Sequence, residues 1–287
     1  MSDNKIVQEL EQKASVLRRT ALTMIYHAKS GHPGGSFSAA DIMTALYFNE
    51  MNVKPNEPKW ADRDRFVLSK GHVCPILYSA LMLRDFFPST EINNLRKMGS
   101  ILQGHPDMKK CPGVDISTGS LGQGISCATG MAIAAKMDKK DYRTFTLVGD
   151  GEANEGQVWE AIQSAVKYKL DNLVVIIDNN GLQNDGTCND IMPTGDLAKK
   201  AESFGMEVYR IDGHNMGEIL DALAQIKANA NNGVPKCIVA KTVKGKGVSF
   251  MENVVGWHGM APNEEQFKIA MEELGGALWL QNQLEML

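Results

Sequence analysis

Two polar, glycine-flanked segments near the middle of the chain have the residue types to bind a cation and a phosphate. Gly149, Asp150 and Gly151 follow one apolar run, and Asn180 and Gly181 follow the next. A carboxylate and an amide carbonyl suit Mg²⁺, which takes few protein oxygens and fills its coordination shell with phosphate and water. The glycines allow a phosphate to approach the backbone closely. These segments therefore predict an anchor for a magnesium-bound diphosphate.

The elements that must position these residues alternate between strands and helices. A helix is predicted over the first 28 residues, and a second is predicted from an N-cap at Ser38 to about Asn49. Strand-length apolar runs occupy residues 65–69, 145–148, 173–177, 208–211 and 237–243. Amphipathic helices separate the later runs, and a terminal helix from Glu264 to Leu274 with a short amphipathic tail is predicted after them. The pattern predicts an α/β fold: a parallel sheet with helices on both faces and an N-terminal helical elaboration.

Asp150 and Asn180 are separated by one strand–helix–strand crossover. Such a crossover is right-handed and places the two strands side by side, so both side chains can reach one point at the carboxyl ends of the strands. The ends of the last two predicted strands, at residues 212–214 and 244–247, are also polar and rich in glycine. Taken singly, each of these segments is more typical of an ordinary turn.

Five of the six histidines lie beside glycine or proline in predicted loops, whereas His27 lies within the first helix and is expected to be structural. The five are His32, His72, His105, His214 and His258. Their spacings are wide and include no His-x-x-x-His pair, which argues against a zinc site. A single loop histidine is usually solvated, but five together predict a polar pocket that handles phosphate, hydroxyl groups and protons.

The composition and motifs of the chain argue against several classes of protein. The glycine cluster at residues 119–124 lacks dinucleotide-fingerprint spacing, and no P-loop motif occurs. A net charge of −4 without a basic run argues against nucleic-acid and membrane binding. Five cysteines without a Cys-x-x-Cys pair indicate neither a disulfide framework nor a thiolate zinc site. The lack of a signal-peptide pattern leads us to expect a cytoplasmic protein.

Taken together, these motifs resemble those of transketolase. The thiamine diphosphate signature corresponds to residues 149–151 and 179–180, and the cofactor loop to Thr-Gly-Ser-Leu-Gly-Gln-Gly-Ile at 118–125. Three sugar-site loops correspond to Ser-Gly-His-Pro-Gly at 30–34, Ser-Lys-Gly-His at 69–72 and Gln-Gly-His-Pro at 103–106, and the late histidine to Trp-His-Gly at 257–259. The motifs occur in the family's order over about residues 14 to 262.

The resemblance implies a cofactor and a metal ion. Thiamine diphosphate would be bound with Mg²⁺, or with Ca²⁺ or Mn²⁺ in its place. Asp150, Asn180 and the backbone carbonyl of Leu182 would hold the metal. The diphosphate would be contacted by Gly151, His72 and His258, with Asn180 serving both groups.

The resemblance also implies contacts with the cofactor rings and with a sugar. Gly119 and Leu121 would border the aminopyrimidine and the thiazolium. His32, His105 and His258 would face the sugar carbonyl and hydroxyls and act as catalytic residues.

Four charged positions receive no definite role from the sequence. Glu155 and Glu160 match acidic positions near the family's subunit interface, but a solvated helix face explains them equally well. Neither the pattern nor the resemblance gives a function to Lys244 or Lys246.

By this resemblance the chain would be a single diphosphate-binding domain over residues 1–287, without the pyrimidine-binding and C-terminal domains of fused transketolases. We therefore expect its partner to be a C-terminal transketolase subunit, in a dimer of heterodimers. The pair would transfer a two-carbon ketol unit from a ketose phosphate to an aldose through a thiamine-bound carbanion. The alternatives are a subunit of another thiamine enzyme, such as one similar to deoxyxylulose phosphate synthase, and a non-catalytic module that keeps the fold.

Overall fold

The structure is a computed structural model that describes residues 3–276. Its centre is a five-stranded sheet in which every neighbouring pair of strands is parallel. The strands are β1 (Arg65–Leu68), β2 (Thr144–Gly149), β3 (Leu173–Asn179), β4 (Glu207–Asp212) and β5 (Lys236–Lys241). Their order is β1-β2-β3-β5-β4, so β4 forms an edge and β5 lies beside β3.

Ten α-helices accompany the sheet within the described residues. They are α1 (Asn4–Ala28), α2 (Pro33–Ser38), α3 (Ala40–Ala45), α4 (Cys74–Leu83), α5 (Gln123–Met137), α6 (Gly156–Lys167), α7 (Cys188–Ile191), α8 (Leu197–Ser203), α9 (Met216–Ala228) and α10 (Glu264–Glu273). Short 3₁₀ turns occur at Gly71–Val73, Ser89–Asn94, Glu152–Asn154 and Val255–His258, and a π-helical turn at Leu46–Glu50. In this part of the chain, no helix is long and apolar enough to span a membrane.

Alternate residues of each strand enter two separate cores, because successive side chains in a strand point to opposite faces of the sheet. Phe145 and Leu147 of β2 pack into a core shared with α1, α3, α4 and α9. Val148 of β2 and Val175 of β3 pack into a second core with α5, α6 and α8. The prediction of a parallel sheet with helices on both faces is confirmed.

The structure corrects two of the predicted elements. The single helix predicted from Ser38 to about Asn49 is divided into α3 and the π-helical turn, and Ser38 is the last residue of α2 rather than an N-cap. Instead, Pro33 occupies the first turn of α2, and the Ser38 hydroxyl donates to Asp178. Helices α7 and α8 were not predicted, because helices of four and seven residues are too short to establish a clear period. The predicted amphipathic tail after Leu274 lies largely outside the described residues.

Candidate functional site

A cavity of about 470 Å³ lies at the carboxyl ends of the parallel strands. Its lining includes residues that follow β1, β2, β3 and β5, together with the glycine-rich loop before α5. Nine of the ten residues predicted for the site are in this lining: His32, His72, Gly119, Leu121, Asp150, Gly151, Asn180, Leu182 and His258. The structure thus brings together segments that are far apart in sequence, as expected where parallel strands end.

Asp150 and Asn180 lie close together because β2 and β3 are neighbours, with Gly149 paired to Asp178 in the register. The Asp150 carboxylate accepts hydrogen bonds from the amides of Gly151, at 2.7 Å, and Gly181, at 2.5 Å. The Asn180 side-chain carbonyl accepts from the Leu182 amide at 3.1 Å, while its amide group donates to Asp178 at 3.3 Å. These bonds fix the orientation of both side chains at the floor of the cavity.

The donor set fits a hard divalent ion that takes few protein ligands. Asp150 supplies a carboxylate, Asn180 an amide oxygen and Leu182 a backbone carbonyl. Burial raises the pKa of Asp150, and the nearby charge of Asp178 raises it further, so a bound cation would stabilise the ionised form. Within residues 3–276, no group of three or more His, Cys, Asp or Glu side chains is arranged to hold a metal. Phosphate and water would supply the remaining ligands.

Lys244, to which the sequence assigned no role, extends into this cavity. Its ammonium donates to the carbonyls of Leu182, at 3.1 Å, and Gln183, at 3.0 Å, and lies 2.8 Å from Nδ1 of His258. Burial lowers the pKa of Lys244 to about 8, with a further contribution from the charge of Lys70. Lys244 reaches the cavity because β5 lies beside β3, which places a cation where a diphosphate is expected.

Three histidine rings form a cluster at one side of the cavity. The ring centroids of His32, His72 and His258 lie 5.1–5.5 Å from one another. Burial lowers the pKa of His32 to about 4 and that of His258 to about 3, and lowers the pKa of His72 well below its usual value. All three rings are therefore neutral near pH 7, and each can donate one hydrogen bond and accept another. Nδ1 of His32 is buried and has no partner among the described residues.

His105 lies at the rim of the cavity rather than in its lining. Its ring is the nearest group to Gly119, where an added Cβ would come within 3.2 Å of it. Arg96 connects the loop that carries His105 to the one that carries His32, because its guanidinium donates to the Gly104 carbonyl at 3.5 Å and to the Ser30 hydroxyl at 2.6 Å. Burial and the charge of Arg96 lower the pKa of His105.

A buried ion pair lies at the base of the cavity. Lys70 forms an ion pair with Asp178, and the exposed fractions of the two side chains are 3% and 0%. Asp178 also accepts from the hydroxyls of Ser38, at 2.5 Å, and Thr242. The sequence signal for Lys70 was its place in the Ser-Lys-Gly-His motif, but nothing in the pattern indicated its partner.

His214 does not join the histidine cluster, contrary to the prediction of a five-histidine pocket. Its Nδ1 lies 2.7 Å from Asp41, which forms an ion pair with Arg18, and its Nε2 accepts from the Val243 amide at 2.8 Å. The physical reason is the strand order: β5 lies between β4, which His214 follows, and β3. His214 instead holds the backbone next to Lys244.

The remaining charged candidates differ in position. Glu155 is exposed and lines the mouth of the cavity, whereas Glu160 is exposed on α6. Lys246 is directed toward Glu252, at 3.6 Å, and is not in the lining. A further residue missed from the sequence is Glu152, which is buried against the loops around the cavity.

The sequence and the fold are similar to those of known transketolases. The chain is 43% identical over 274 residues to 6-deoxy-6-sulfo-D-fructose transketolase subunit SqwG of Clostridium sp. (strain MSTE9), covering 96% of this chain and 98% of that protein. It is 42% identical over 268 residues to an apulose-4-phosphate transketolase subunit of Phocaeicola vulgatus, covering 93% and 94%. The crystal structure of Campylobacter jejuni transketolase superimposes with a TM-score of 0.88 at 36% identity.

These relatives differ in length. The match covers 94% of this chain but 43% of the Campylobacter protein, and human transketolase is likewise matched over 40% of its length. The predicted transketolase resemblance is confirmed by a family match that extends over residues 10–279 and is described as "Transketolase, thiamine diphosphate binding domain". The chain belongs to the transketolase family and corresponds to its thiamine diphosphate-binding domain.

Proposed function

We propose that this chain is the diphosphate-binding, N-terminal subunit of a two-subunit transketolase, and that residues 1–287 form one thiamine diphosphate-binding domain. With its partner it transfers a two-carbon ketol unit from a ketose phosphate to an aldose or aldose phosphate. The observation that carries the proposal is the cavity that unites Asp150, Asn180, Lys244 and the histidine cluster. Its two subunit relatives also match the chain over nearly their full lengths.

The residues of the cavity that would face the cofactor divide into three groups by their chemistry. Asp150, Asn180 and the Leu182 carbonyl would hold Mg²⁺, or Ca²⁺ or Mn²⁺ in its place, against the diphosphate. The Gly151 backbone, His72 and the Lys244 ammonium supply further groups that can approach the phosphate oxygens. Gly119 and Leu121 would border the rings of the cofactor. When bound, thiamine diphosphate supplies the nucleophilic carbon for the reaction.

The histidines handle the polar groups of the sugar. His32, His105 and His258 would donate hydrogen bonds to its carbonyl and hydroxyl oxygens and exchange protons with them. The low pKa values of His32 and His258 keep both rings neutral, so each has one nitrogen able to accept a hydrogen bond.

The partner would be a C-terminal transketolase subunit that carries the pyrimidine-binding domain, in a dimer of heterodimers. Exposed apolar residues near the cavity mouth, Leu121 and Met192, would be covered by that subunit. We place the complex in the cytoplasm and in pentose phosphate metabolism. Sulfo-sugar and apulose substrates, which the names of the two relatives specify, are the first alternatives to ordinary ketose phosphates.

The direct test is reconstitution with a candidate partner subunit. The mixture should transfer ketol units only when thiamine diphosphate and Mg²⁺ are present, and the purified chain alone should have negligible activity. Full turnover by the single chain, or pyruvate decarboxylation in place of ketol transfer, would contradict the proposal. A complex that binds the cofactor but turns over no donor would favour the non-catalytic alternative.

The metal assignment has a separate test. Asp150→Ala should abolish Mg²⁺-dependent binding of thiamine diphosphate, measured by calorimetry on the complex. Asp141→Ala is the matched control, because Asp141 is an exposed carboxylate that precedes β2 at the amino end of the strand, whereas Asp150 follows its carboxyl end. Unchanged binding by Asp150→Ala, or equal loss in both variants, would count against the metal site.

A further inference from the structure

Three loops that line the cavity come from different parts of the chain. One follows β1 and contains Lys70 and His72, a second precedes α5 and contains Gly119 and Leu121, and the third follows β2 and contains Asp150. The proposed function requires all three loops to contact the same cofactor, so their spacing must be fixed.

One buried carboxylate connects the three loops. Oε1 of Glu152 accepts hydrogen bonds from the Ser69 hydroxyl, at 2.6 Å, and from the Gly122 amide, at 2.8 Å. Its Oε2 accepts from the Gly149 amide at 3.0 Å. Ser69 directly follows β1, Gly122 directly precedes α5, and Gly149 ends β2. Each loop therefore contributes one donor to Glu152.

The surroundings make this carboxylate difficult to replace. Glu152 is 3% exposed, so water cannot readily substitute for its oxygens. The loops it joins are also in close contact, since a Cβ added to Gly124 would lie 2.6 Å from Cα of Ser69. A short 3₁₀ turn, Glu152–Asn154, directs the side chain back toward the loops immediately after Asp150.

We propose that Glu152 is a positioning residue that holds the three cofactor-binding loops at one fixed spacing. It acts through Ser69, Gly122 and Gly149 and uses both carboxylate oxygens to do so. The inference rests on the proposed function for the identity of the ligand, thiamine diphosphate. Without this carboxylate, the loop after β1 and the loop before α5 would separate from the loop that carries Asp150, and the cofactor would have to reassemble them on binding.

The test compares Glu152→Ala and Glu152→Gln with Asp115→Ala in the full chain bound to its partner. Asp115 is a matched control, because its side chain is 5% exposed and it accepts from the Phe66 amide at 2.8 Å and pairs with Arg63. It contacts the start of β1, at the amino ends of the strands and away from the cavity. The first readout is the dissociation constant of thiamine diphosphate at saturating Mg²⁺. The second is amide hydrogen exchange at Gly122 and Gly149 without cofactor.

We expect Glu152→Ala to weaken thiamine diphosphate binding by about tenfold or more, since two buried amides lose their acceptor. Glu152→Gln keeps one carbonyl oxygen, so its affinity should lie between those of the wild type and Glu152→Ala. Exchange at Gly122 and Gly149 should accelerate in Glu152→Ala. Asp115→Ala should lower the melting temperature while it leaves cofactor affinity and these two amides unchanged.

Two results would overturn the inference. One is a loss of affinity in Glu152→Ala no larger than that in Asp115→Ala, and the other is unchanged exchange at Gly122 and Gly149. Failure of the proposed function can be distinguished from failure of this inference, because the wild-type complex would then bind no thiamine diphosphate. In that event the exchange measurement alone decides whether Glu152 holds the loops.

Discussion

The buried ion pair between Lys70 and Asp178 allows a quantitative prediction. Lys70→Met removes the cation and leaves Asp178 with three neutral donors, the hydroxyls of Ser38 and Thr242 and the amide of Asn180. Removing one partner of a buried pair typically costs about 3–5 kcal/mol, because the other charge stays buried without compensation. For a chain of 287 residues, with an unfolding entropy of about 2.1 cal/mol/K per residue, that loss corresponds to a fall of roughly 5–8 °C in the midpoint of thermal unfolding.

The assay is thermal unfolding of Lys70→Met, Asp178→Asn and the double variant at pH 7, followed by circular dichroism. The double variant should be more stable than the sum of the single changes predicts, because it leaves neither charge unpaired. Lys268→Met is the control, since the Lys268–Glu264 pair has an N–O distance of 2.6 Å but side chains that are 48% and 67% exposed. It should leave the midpoint within experimental error.

The pH dependence follows from the same pair. Burial alone would raise the pKa of Asp178, but Lys70 and the hydroxyl donors lower it below the usual value. The stabilisation from Asp178 should therefore be fully present above pH ~4, the pKa of an unfolded aspartate, and should be lost as the pH falls through the lower folded value. The reasoning is refuted if Lys70→Met unfolds at the same temperature as Lys268→Met, or if the single changes are additive.

Two further predictions concern helix α5 and Lys244. Gly124→Ala should be less stable than Gly130→Ala by about 1–3 kcal/mol in chemical denaturation. The Cβ added at Gly124 would meet the backbone of Ser69, whereas nothing lies within 4 Å of a Cβ added at Gly130. Equal stability of the two variants would refute this packing argument. With Lys244 at a pKa of about 8, its ammonium is charged below that pH, so thiamine diphosphate affinity should decrease as the pH rises above 8. Lys244→Met should bind the cofactor more weakly at pH 7 and flatten this dependence, measured by calorimetry; a slope that persists in the variant would assign it to another group.

Much of the fold and the site could be predicted because the relevant signals are local. Apolar runs and helical periods located all five strands, and the residues after β2 and β3 indicated an oxygen-rich site. A single right-handed crossover connects these two strands, so the proximity of Asp150 and Asn180 followed without knowledge of the whole sheet. The predicted roles of the individual site residues stay predictions.

Other features depended on the order of the strands and on contacts between distant residues. Nothing in the sequence pattern distinguished the end of β5, which carries Lys244 into the cavity, from the end of β4, which places His214 away from it. Similarly, the Lys70–Asp178 pair joins residues 108 positions apart, and the Ser69–Glu152 bond joins residues 83 positions apart. Periodicity reports which face of an element is buried, but not which element covers it.

The sequence by itself therefore determined the α/β class, the transketolase family and the set of residues able to bind a metal and a diphosphate. Only the tertiary structure decided which of the polar strand ends meet, and which buried charges hold them in place. The physical reason is that side-chain types and local spacing are encoded along the chain. The pairing of Lys70 with Asp178 and of Glu152 with three loops is instead created by packing the strands into one sheet.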